Sequence, residues 1–168
     1  MKGFHMNDEH TMQKLLFQQK RDEVILLYQL FSWYVSKHAL DKNPYNVPET
    51  FVLVAAFASV FHDLTVSAGS LGFVVEMNES KRTGKYEFVP HHWLVWQNED
   101  YILDLVPIDG GFATSLPNAV IQNDKRRRFF PKTKVYPNDW GVQKKADFDS
   151  KVSDLVEILE ILMKKVPL

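Results

Sequence analysis

From Phe51 to Phe61 the chain reads FVLVAAFASVF, a helical run that is apolar on nearly every face. Its start is marked by Asn46 as a candidate N-cap, Pro48 in the first turn and Glu49 three residues after the cap, an approximation to a capping box. A helix without a polar stripe must be covered by other elements on most of its sides. Whatever this chain folds into is therefore built around that segment.

The covering elements can be read on either side of it. From His10 to His38 the apolar residues Leu15, Leu16, Ile25, Leu26, Leu30, Phe31 and Tyr34 recur at helical spacing, with QQKRDE on complementary positions and a possible break near Lys20. LDKNPYNVP is a connector. After the central run, TVSAGS punctuates and LGFVVEM reads as a short buried strand, while NESKRTGKYE is a polar turn region. FVPHHWLVW and DYILDLV read as two further strands. Past Val106, proline and glycine recur at short intervals, leaving room for one or two short strands and no helix of length. DFDSKVSDLVEILEILMKKV closes the chain as an amphipathic helix with Phe148, Val152, Leu155, Val156, Leu159 and Leu162 on one face. Lys164 and Lys165 lie in its last turn, where cations favour the helix dipole. This order specifies an α+β fold: a buried central helix packed on an antiparallel sheet, flanked by long N- and C-terminal helices.

Size and composition bound the function classes. The 168 residues fit one domain spanning 1–168, and a hydrophobic fraction of 45% is that of an ordinary globular protein. A formal charge of -1 removes any general argument for nucleic acid or an anionic membrane, which are bound by accumulated Lys and Arg. Cysteine is absent, so disulfides, thiolate metal sites and cysteine nucleophiles are excluded. The N-terminus MKGFHMNDEHTMQKLL has no continuous apolar region and no segment is long enough to span a bilayer, so the expectation is a soluble, cytoplasmic protein.

The stretch HHWLVWQNEDYILDLVP, residues 91 to 107, holds the candidate chemistry. If QNED makes an even-numbered turn, Trp96 faces Tyr101 and counting back puts Trp93 opposite Asp104. Side chains alternate, so His91, Trp93 and Val95 share one face and His92, Leu94 and Trp96 the other. His91 is then the diagonal neighbour of Asp104, roughly 7–8 Å away at the backbone and within side-chain reach. A carboxylate fixes the tautomer of a histidine and raises its basicity, as a general base requires. The same pair also serves as plain structural hydrogen bonding within a half-buried strand.

A helix start, then H-x-W at His91-His92-Trp93, then YILDL with Asp104, resembles the transglutaminase-like branch of the papain-like cysteine hydrolases over residues 46 to 107. By that resemblance His91 matches the family's histidine and Asp104 its aspartate, and the family's cysteine belongs in the first turn of the central helix near Thr50. The chain departs from the pattern there, and also reads D-L-V where the family has D-x-T. A hydroxyl is too weak an acid to gain what a thiolate gains from a helix N-terminus. The resemblance accordingly implies a scaffold that has lost its nucleophile.

Other constellations carry less. His62, Asp63, His91 and His92 offer ligand types, but adjacent strand histidines point to opposite faces, and neither a metal nor a cofactor is expected. IDGG at 108 to 111 is a turn, not a phosphate loop. DKRRRFFPKTK at 124 to 134 mixes basic and aromatic residues as nucleic-acid or acidic-partner sites do, yet reads equally as a solvated loop whose Phe129 and Phe130 tuck onto the core. The N-terminal helix carries Phe17, Tyr28, Phe31, Trp33 and Tyr34, more aromatics than one face holds, and some of them suit a homodimer contact.

The expectation is a non-catalytic module that binds a peptide or protein in the cleft between the helix start near Thr50 and the hairpin. Trp93, Trp96, Arg126, Arg127, Arg128 and Phe129 are its candidate contacts. The alternative is an amide or ester hydrolase with Thr50 as nucleophile, His91 as base and Asp104 as orienting group. A third reading gives nucleic acid or an acidic partner to the 124–134 run.

Overall fold

The computed structural model describes residues 6–37, 49–78, 80–81, 83–96, 100–105, 108–109, 112–113, 118–121, 127–132 and 141–165. It is an α+β fold. Three helices, α1 (Met6–Lys37), α2 (Glu49–Val60) and α3 (Val142–Lys165), accompany strands β1 (Thr65–Asn78), β2 (Thr83–Trp96), β3 (Tyr101–Asp104), β4 (Ile108–Asp109), β5 (Phe112–Ala113), β6 (Asn118–Ile121) and β7 (Arg127–Pro131). The main sheet has five strands in the order β6-β3-β2-β1-β7, and β4 and β5 form a separate pair. Every paired neighbour runs antiparallel.

The central helix is covered as its all-round apolarity requires. Val52, Val54, Ala56 and Phe57 of α2 are almost fully buried. Tyr28 and Phe31 of α1 set their rings against Phe57, and Phe51 stacks between Phe148 of α3 and His92 of β2. Burying side chains of this size is worth about 1.5–3 kcal/mol each, so the apolar residues of α2 stabilise the fold substantially. Asn46 and Pro48, the expected cap and first-turn residues, lie outside the described residues.

Four expectations need correction. The helix α1 continues through Lys20 without a break, and its buried face is Phe17, Val24, Leu27, Tyr28 and Phe31, not the set containing Leu15, Leu16 and Leu26. Both sets have helical period; periodicity alone does not say which of two apolar stripes meets the core. TVSAGS is the first half of a 14-residue strand, not a break. Gly69 belongs there because a Cβ would collide with the Phe130 carbonyl of β7, so glycine is what lets the strands approach. Among its described residues the segment past Val106 holds four short strands where one or two were expected. The C-terminal helix buries Phe148, Leu155, Leu159 and Leu162 as its spacing indicates, but begins earlier, at Val142.

The sheet divides the interior. Leu94, Trp96 and Leu103 point into the large core with all three helices. Leu71, Trp93, Val95, Ile102 and Phe129 form a smaller cluster on the other side, which Val89 borders.

Candidate functional site

The register Trp96↔Tyr101, Val95↔Ile102, Leu94↔Leu103 is the one that an even-numbered loop dictates. Continued by one pair, it sets Trp93 against Asp104 and His91 on the diagonal. The His91 Nε2 lies 2.9 Å from both carboxylate oxygens of Asp104. A carboxylate buried to this degree needs a hydrogen-bonded partner, because an uncompensated buried charge costs several kcal/mol. His91 supplies it. The pair is sealed: His91 is 2% exposed and Asp104 0%. The His91 ring stacks on Trp93, and Trp93 meets Phe129 edge-on at 5.0 Å. The Trp93 indole nitrogen is buried with no hydrogen-bond partner among the described residues.

His92 occupies the opposite face. Its ring stacks on Phe51 with centroids 4.6 Å apart. Burial, and secondarily the charge of His91, pulls its pKa down from 6.5 to about 4. Thr50, immediately before Phe51, is in the first turn of α2, where the resemblance puts a nucleophile. But α2 packs on the face carrying His92, Leu94 and Trp96, so the sheet stands between its first turn and the His91–Asp104 pair. The structure brings His91 and Asp104 together and leaves the Thr50 helix on the other side.

The expected binding residues distribute differently. Trp93 and Trp96 are both buried, as packing residues. The Trp96 indole N–H donates to Asp63 at 3.2 Å, and Asp63 pairs with Lys20, which also reaches Glu23. Beside them a cavity of about 300 Å³ is lined by Leu16, Gln19, Lys20, Glu23, Asp63 and Trp96. His62 is exposed in the turn after α2. Among the described residues no three His, Asp or Glu side chains are placed to hold a metal ion, and no helix is long and apolar enough to cross a membrane.

The basic-aromatic run is an edge strand, β7, over Arg127–Pro131. Arg126 lies outside the described residues. Because neighbouring strand residues face opposite ways, Phe129 is buried against Trp93, whereas Phe130 does not tuck in and stays 44% exposed. Its ring sits 6.0 Å from Phe88, which is 63% exposed, and the Arg128 guanidinium lies over the Tyr86 ring at 5.9 Å. Gly72 lies opposite both Phe88 and Arg128, and the Phe88 ring occupies the space its missing side chain leaves. Phe88 and Tyr86 escape a reading of sequence alone, since they join Phe130 and Arg128 only once β1 is known to separate β2 from β7. Compared with known proteins, the chain matches no family model, no curated protein and no solved structure.

Proposed function

We propose that this protein is a non-catalytic binding module on an antiparallel-sheet scaffold, and that its partner is an acidic peptide or protein segment docking on the β1–β2–β7 face. The observation that carries the reading is the exposed Phe88–Phe130 pair with Arg128 beside it. Two large aromatic rings held in water on a rigid sheet, next to a guanidinium, form the kind of aromatic-and-arginine cluster that supplies most of the energy at protein interfaces. The edge of β7 adds backbone groups with which an extended peptide can pair. With a net charge of -1 the chain lacks the accumulated positive field that nucleic-acid binding draws on, which favours a peptide.

The transglutaminase-like reading is compatible with this function. On that reading the chain has lost its cysteine, and the sealed His91–Asp104 pair contributes to the stability of the sheet.

The test is fluorescence anisotropy with a labelled Asp/Glu-rich peptide containing aromatic residues, with a single-stranded oligonucleotide of equal charge in parallel. Phe130→Ala, which leaves Phe88 over Gly72, and Arg128→Ala should each weaken peptide binding by about tenfold, equivalent to some 1.4 kcal/mol, without altering the thermal melt. Peptide affinity indifferent to both substitutions refutes the site. Turnover of an amide or ester substrate that His91→Ala abolishes in the folded protein refutes the non-catalytic reading.

A further inference from the structure

The helix α1 has a second apolar face that lies largely outside the core, with Leu30 the one member of the seam packed against it. About a third of a turn around the helix from its buried side, Met12, Leu16, Leu26 and Trp33 are 46%, 47%, 39% and 58% exposed, with Leu30 half-buried among them. With Gln19 and Glu23 they run 12, 16, 19, 23, 26, 30, 33, the alternating steps of four and three that define a helix-pairing seam. The N-terminal part of the seam projects: every side chain from Asp8 to Leu16 is exposed.

We infer that this face is a homodimer interface, in which α1 of one copy packs antiparallel on α1 of a second. The charges choose both the occupant and the direction. Acidic residues Asp8 and Glu9 occupy the first turn and Lys37 the last. Two copies side by side and parallel would set Glu23 against Glu23 and Lys37 against Lys37. Turned antiparallel about position 21, the face complements itself. Met12 meets Leu30, Leu16 meets Leu26, and the Gln19 amide donates to the Glu23 carboxylate of the other copy. Asp8 and Glu9 come within one turn of the opposing Lys37. The cavity lined by Leu16, Gln19, Lys20 and Glu23 lies at the centre of this arrangement, where Leu26 of the second copy enters it.

The dimensions are sufficient. A 32-residue helix is about 48 Å long, and a contact strip ~10 Å wide covers about 500 Å² per copy, close to the ~1,000 Å² total of a specific interface. An interface at this lower bound is that of a reversible dimer.

Sedimentation velocity on the full chain from about 1 to about 200 μM reads this directly. The expected result is a concentration-dependent monomer–dimer equilibrium, which Leu16→Glu and Leu26→Glu each shift by at least about tenfold toward monomer with an unchanged thermal melt. The cysteine-free background permits a test of direction. Oxidation should link the Met12→Cys, Leu30→Cys double variant into a covalent dimer and leave Met12→Cys alone unlinked. A monomer across the whole range, or a dimer indifferent to both glutamates, overturns the interface; efficient linking through Met12→Cys alone overturns the antiparallel arrangement.

Discussion

Acid should loosen this protein through His92, by an amount the structure sets. The ring is buried on Phe51, and its pKa falls from 6.5 to about 4 because burial penalises the charged form and the adjacent His91 adds repulsion. Above about pH 6.5 the imidazole is neutral in both folded and unfolded chains and contributes nothing to pH dependence. As pH falls through that value the unfolded chain takes up a proton that the folded chain refuses, so stability is lost between about 6.5 and 4 and levels off below. At 1.36 kcal/mol per pKa unit, the loss attributable to His92 is about 2 kcal/mol at pH 5 and about 3 kcal/mol at the acid limit. His92→Phe keeps a ring against Phe51 and removes the proton site. Urea denaturation of both proteins at pH 7 and pH 5 isolates the effect, because the other titrating groups are common to the pair. The wild type should lose about 2 kcal/mol more than the variant. Equal losses would mean that His92 titrates as freely in the fold as in the unfolded chain, and the burial argument would fail.

Removing one member of the sealed pair should cost far more than the net worth of the pair. Asp104→Ala and His91→Ala are each expected to lose about 3 kcal/mol or more in chemical denaturation, since each strands a buried polar group. The double replacement His91→Ala, Asp104→Ala should be milder than the sum of the singles; simple additivity would show that the two do not act together. Gly69→Ala should destabilise by about 1–3 kcal/mol and speed amide exchange in β7, because the methyl displaces the Phe130 carbonyl. Undisturbed β7 amides would argue against that close approach. Strand alternation also separates two adjacent residues: Phe129→Ala should cost about 3–5 kcal/mol and Phe130→Ala under about 0.5, as thermal or urea unfolding will show. Equal costs would remove the basis for an exposed Phe130.

Local rules determined much of this protein from sequence. The absence of a polar stripe made Phe51–Phe61 a covered helix, and the apolar spacing of Phe148, Leu155, Leu159 and Leu162 named the buried side of α3. Alternation with an even-numbered loop brought His91 to Asp104, because both depend only on chain geometry over a few residues. What the tertiary structure alone decided is which face of each element meets which neighbour. Two apolar stripes on α1 obey the same period, and only packing shows that Phe17, Val24 and Leu27 lie inside while Leu16 and Leu26 face water. TVSAGS has turn composition, yet it is strand because all six of its residues pair with β2, some twenty to thirty residues further along, and β7 closes on Gly69 from the other side. Alternation assigns His91 and Thr50 no common side; that depends on where α2 docks, and it docks on the face of His92. Periodicity is a property of a segment, whereas burial belongs to pairs of segments, and pairing is settled by contacts between residues far apart in sequence.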